Sequence, residues 1–113
     1  MAAQRKKYCF ALDLKEEPHL MDAYIKHHQK VWPEILQQIK STGVECMEIY
    51  RVSNRLFMIM ETHPDFSLEA KAALDKSNPK VQEWETLMSK YQQALPNAKP
   101  GEKWVLMEQI FKL

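Results

Sequence analysis

The sequence predicts an α+β fold, with a four-stranded antiparallel sheet carrying helices on one face. Strand-like alternation occurs at both ends and in the middle of the chain. Apolar residues at steps of three and four fill the stretches between. A short polar turn joins two neighbouring strand-like runs. The 113 residues suit one domain, 1–113, and 45% hydrophobic content is enough for a core.

Lys7–Leu14 reads as the first strand, with Tyr8, Phe10, Leu12 and Leu14 on one face and Cys9, Ala11 and Asp13 on the other. Glu16-Glu17-Pro18 suits a helix start. The first helix spans about 18–41. Its apolar stripe is Met21, Tyr24, Ile25, His28, Trp32, Ile35, Leu36 and Ile39, with a kink or split at Pro33 and a stop at Gly43. Val44–Val52 and Arg55–Thr62 form a hairpin through Ser53-Asn54. Asp65 or Ser67 caps a short helix ending near Asp75. Asn78-Pro79 starts another to about Gln93, carrying Val81, Trp84, Met88 and Tyr91 inward. Pro96, Asn97, Pro100 and Gly101 make 95–103 a loop, and Trp104–Phe111 is the last strand.

The order βαββ(αα)β is a ferredoxin-like plan. Helices cover one sheet face, yet Arg55–Thr62 and Trp104–Phe111 carry large apolar groups on both. A second apolar face left in water would be an unusually large exposed patch. The patterning therefore predicts a homodimer with two sheets face to face, of the dimeric α/β-barrel type.

Charge is balanced at a formal +1, which speaks against a nucleic-acid partner. No apolar run is long enough for a membrane span, and the basic N-terminus has no apolar stretch behind it. Cys9 and Cys46 lie in strand-like runs as reduced thiols, which points to the cytosol. With two glycines, neither a Walker loop nor a dinucleotide fingerprint is possible. No histidine pair has i, i+4 spacing and there is no CxxC, so neither a metal nor a cofactor is expected.

His28 carries the most information. It interrupts an apolar stripe between Tyr24 and Trp32, four residues away on each side. Two readings stand side by side: a core histidine satisfied by a carbonyl or carboxylate, or an acid/base group that exchanges protons near neutral pH. Tyr24, one turn earlier, would lie beside it as a hydroxyl contact. His27 projects toward solvent or the pocket rim. Trp84 is core packing or a platform for a sugar ring, with Glu85 beside it as a hydroxyl acceptor. Glu45 and Glu48 fall on opposite faces of their strand, one toward the pocket or the dimer interface. The seven methionines read as core filler.

Tyr24-Ile-Lys-His-His28 followed by Val31-Trp32-Pro33-Glu34 resembles the L-rhamnose mutarotase family, where Y-x-x-x-H precedes W-P-E on the first helix. The likeness continues through Ile49-Tyr50, Asn54–Phe57, Val81-Gln82-x-Trp84 and Glu108-x-Ile110-Phe111. The resemblance implies dimeric, cofactor-free, ferredoxin-like enzymes acting on sugars. It implies His28 as proton donor and Tyr24 as sugar contact. Met47 stands where the family has a sugar-contacting tyrosine, and Trp84-Glu85 stands where it has Trp-Trp. Both changes fall on the sugar-facing wall, so Met47, Trp84 and Glu85 join the expected substrate contacts. The fuller pattern (CFALDL, MEIYR, NRLFMIME, NPKVQEWE) is similar to the branch associated with L-fucose. The implied reaction opens the hemiacetal and closes it on the other face. Tyr24, Glu48, Glu85 or a held water would partner His28. The same architecture also hosts monooxygenases, haem-degrading enzymes and ligand-sensing modules, and fold alone does not separate them.

Overall fold

The computed structural model describes residues 4–113. Strand β1 is Lys6–Leu14, followed by α1, Pro18–Gln29, and α2, Pro33–Ser41. The hairpin is β2, Val44–Val52, and β3, Arg55–Thr62, and the helical pair is α3, Leu68–Lys76, and α4, Pro79–Ser89. Two short strands close the order, β4 at Gln92–Gln93 and β5 at Val105–Leu106. The sheet runs β2-β3-β1-β4, with β5 also on β1, and every pairing is antiparallel.

Pro33 splits the expected long helix. It has no N–H to donate and disfavours helical backbone in the residue before it, so Trp32 becomes an extended N-cap and α2 restarts at Pro33. Ser67 caps α3 by accepting from Ala70 N–H, and Asn78 caps α4 by accepting from Lys80 and Val81 N–H. Ser53, at φ 51°, makes the tight hairpin turn.

The helices pack on the sheet face that carries Leu12, Leu14, Leu56 and Met60, all nearly or fully buried. Tyr24, Ile35, Val81, Trp84 and Met88 meet Leu14 and Leu56 in one cluster. Val44, Met60 and Phe66 form a second, and Ile39 touches both. Burying each such aliphatic side chain contributes about 1.5–3 kcal/mol.

The opposite face follows by strand parity: Cys9, Ala11 and Asp13 on β1, Phe57 and Ile59 on β3, and Glu48, Tyr50 and Val52 on β2. None of the described helices covers it, and Tyr50 and Val52 are exposed. Asp13 is nonetheless buried, held by a two-pronged pair with Arg55 at 2.8 and 3.1 Å.

Two expected boundaries change. The last helix ends at Ser89, because Gln92 and Gln93 pair with Leu14 and Asp13 and the Tyr91 carbonyl accepts from Lys15 N–H. The sheet edge takes Gln92 and Gln93, which the helical periodicity would have kept. The last strand is only Val105–Leu106, with one further bond from Met107 N–H to the Cys9 carbonyl. Beyond it Ile110 and Phe111 stand 90% and 75% exposed. Alternation marks a segment as able to pair, but an edge strand with nothing packed on its side chains gains little over coil.

Candidate functional site

Helix α1 brings Tyr24 and His28 onto one face, and their rings lie 4.4 Å apart between centroids, tilted by 34°. His28 Nδ1 is 2.8 Å from the Tyr24 backbone carbonyl. A carbonyl only accepts, so Nδ1 carries the hydrogen and the neutral ring leaves Nε2 as its basic atom. Nε2 has no partner among the described residues. Burial lowers the His28 pKa below its usual 6.5; the carbonyl bond opposes this and neighbouring His27 adds to it. His28 is thus a neutral base near pH 7.

From α4, the Trp84 ring meets His28 edge-on at 5.7 Å and Trp32 at 5.1 Å. From β4, Gln92 Nε2 donates to the Tyr24 hydroxyl at 3.3 Å. Burial raises the Tyr24 pKa more than this bond lowers it, so the phenol keeps its proton. Tyr24, His28, Trp84 and Gln92 line a cavity of about 890 Å³ between the helices and the sheet. Its volume lies in the range of small-molecule sites. Met47, whose β3 partner is the buried Met60, also lines it, as does Glu85 at its exposed rim. Tyr24, His28, Met47, Trp84 and Glu85, scattered through the sequence, therefore share one cavity wall. Partial burial, and then the negative charge of Asp75, raise the Glu85 pKa. Asp75 itself pairs with Lys71 at 2.7 Å, and both border the same end of the cavity.

The two strand glutamates part company. Glu48 lies on the open sheet face and accepts from the Tyr50 hydroxyl at 2.9 Å, which removes it as a partner for His28. The irregularity between Val44 and Cys46 sets the faces of this strand. Glu45, beside it, pairs with Arg5 at 3.2 Å and also lines the cavity. His27 is half-buried rather than solvent-facing, because its Nε2 meets the Tyr91 hydroxyl at 3.1 Å. Sequence reasoning passed over Gln92, Lys71 and Asp75; no local spacing marks them, since the turn after α4 and the α3–α4 packing deliver them. Among the described residues no group of three or more His, Cys, Asp or Glu forms a metal-ligand set. None of the described helices is long and apolar enough to cross a membrane.

Fold and site together define a small ferredoxin-like protein with a half-buried, neutral histidine in a mixed polar and aromatic pocket beneath its helices. The sequence model described as L-rhamnose mutarotase matches residues 7–113. An L-fucose mutarotase of Xanthomonas campestris is 39% identical over 110 residues, covering 96% of this chain and 88% of that protein. The chain belongs to the L-rhamnose mutarotase family, isomerases that act on carbohydrates. Among solved structures, an L-rhamnose mutarotase of Formosa agariphila superposes with a TM-score of 0.72 at 23% identity, covering 96% of this chain and 98% of that one. A dimeric ferredoxin-like protein from an uncultured marine organism gives 0.56 at 11% identity, covering 98% and 94%. Both likenesses bear on the fold.

Proposed function

We propose that this protein is a mutarotase of 6-deoxy-L-sugars that prefers L-fucose and works by acid/base ring opening and closure at His28. The observation that carries the reading is the fixed neutral His28 beside Tyr24, with Nε2 unpaired on the cavity wall. His28 Nε2 takes the proton of the anomeric hydroxyl as the C1–O5 bond breaks. The electron pair goes to O5, and the imidazolium returns the proton there. Rotation about C1–C2 and the reverse transfer close the ring on its other face. The sequence suggested His28 as a proton donor; its tautomer and lowered pKa support base first and donor second. The raised pKa of Tyr24 supports a hydrogen-bonding role at the ring rather than net proton transfer. Such a positioned group contributes about 10²–10⁴-fold.

Trp84 offers its ring to the sugar's C–H face, while Met47 and Glu85 shape hydroxyl recognition. The preference for L-fucose is supported by the Xanthomonas relative together with Met47 and Glu85 in place of tyrosine and tryptophan. The homodimer is supported by the uncovered apolar sheet face and by the exposed Ile110 and Phe111. A cytosolic site fits two free thiols held apart by strand β3.

The test is saturation-transfer NMR between the α and β anomeric protons of L-fucose and L-rhamnose, with catalytic protein. Faster exchange, greater for L-fucose and lost in His28→Asn, is the expected result. A rhamnose preference overturns the substrate, and no acceleration of either sugar overturns the activity.

A further inference from the structure

Among the described residues, Gln92 Oε1 is the one buried side-chain oxygen or nitrogen without a hydrogen-bond partner. A buried acceptor left unpaired costs stability, and proteins keep few of them. Gln92 is not there by accident of a mobile loop. It belongs to β4, in register with Leu14, and the preceding Tyr91 carbonyl accepts from Lys15 N–H at 2.9 Å. Its amide nitrogen is engaged by the Tyr24 hydroxyl at 3.3 Å. The side chain also lines the same cavity as His28 and Trp84.

The chemistry of the missing partner follows. A carbonyl oxygen needs a donor, so a carboxylate or phosphate ligand would leave it unpaired. A sugar hydroxyl donates. The Tyr24 oxygen already accepts from Gln92, so its own O–H remains to donate. One amide thereby fixes an acceptor and a donor side by side, complementary to two neighbouring hydroxyls of a ring. We infer that Gln92 is a specificity-determining residue, its side-chain carbonyl accepting from a hydroxyl of the bound sugar next to the position held by Tyr24. The inference rests on the mutarotase reading of this site and deepens it. Sugars that differ only in hydroxyl configuration present their donors in different directions. A fixed acceptor discriminates among them in a way that Trp84, which meets a ring face, does not.

The test uses the full chain and direct binding, followed by tryptophan fluorescence, beside the NMR exchange assay. L-Fucose and its 2-, 3- and 4-deoxy analogues are titrated into wild type, Gln92→Met and Gln92→Glu. Gln92→Met is expected to weaken L-fucose about tenfold. One analogue, the one lacking the hydroxyl that Gln92 reads, is expected to bind wild type and Gln92→Met within about twofold of each other. Gln92→Glu keeps an acceptor and is expected to restore discrimination against that analogue. Unchanged L-fucose binding in Gln92→Met overturns the inference. So does an equal loss for all four ligands, which is the mark of a merely structural role. If Gln92→Glu fails to restore discrimination, the amide faces the cavity by its nitrogen and the acceptor assignment is overturned. Wild type that binds L-fucose without accelerating exchange overturns the mutarotase reading alone, because the binding comparison still decides the role of Gln92.

Discussion

Acidification should silence this protein later than an ordinary histidine would. In the proposed mechanism His28 is the base, which requires the neutral ring, and burial holds its pKa below 6.5. A group titrating at 6.5 would be about one-tenth neutral at pH 5.5 and half neutral at pH 6.5. Exchange normalised to its alkaline plateau should therefore exceed about one-tenth at pH 5.5 and one-half at pH 6.5. The assay is anomeric exchange from pH 5 to 8.5, with the His28→Asn rate subtracted at each point because buffer and water catalyse a background. A midpoint above 6.5, or a profile shared by His28→Asn, would refute the assignment of the base. The same shift acts on stability. The unfolded chain binds the proton at about 6.5 and the folded chain only at lower pH, so stability rises with pH across that interval. The His28 contribution is complete above 6.5 and is lost as pH falls through the folded pKa. Urea midpoints should show this slope in wild type and lack it in His28→Asn.

Trp84→Ala should destabilise the fold by about 3–5 kcal/mol in urea titration, since the ring is 9% exposed and packs against Trp32 and His28. Trp84→Phe is the gentler probe, expected to weaken sugar binding while the urea midpoint moves less. Gly43→Ala should cost about 1–2 kcal/mol by thermal unfolding, because φ is +104° and the added Cβ would lie 3.3 Å from the Phe66 ring. Asn78→Ala should cost about 1 kcal/mol in the same assay, leaving Lys80 and Val81 N–H without their cap.

The long elements could be read from the residues alone because their signals are local. The stripe of α1 and α2, the break at Pro33, the Asn78 cap and the β2–β3 hairpin all depend on neighbours within a few positions. That Tyr24, His28 and Trp84 face the cavity is legible in the sequence because polar or bulky rings sit on inward stripes. What escaped depends on tertiary pairing. Strand β4 has two glutamines and exists because β1 has a free edge there. Its cavity-lining Gln92 carries no sequence mark beyond that pairing. The face of Glu48 was ambiguous for a related reason, since a register irregularity lies three residues before it.

His28 holds its hydrogen on Nδ1 because the Tyr24 carbonyl is there to receive it, and that carbonyl belongs to the backbone of α1. The helix ends at Gln29, a single residue later, so the arrangement sits in a terminal turn, where helices fray first. Proton chemistry at the imidazole is thereby coupled to the winding of that turn. A substitution near Lys30 that never touches the sugar could loosen the turn, free the ring to swap tautomers and leave the pocket able to bind but slow to react. The Pro33 break that shortens the helix is thus also what leaves His28 one residue from its end.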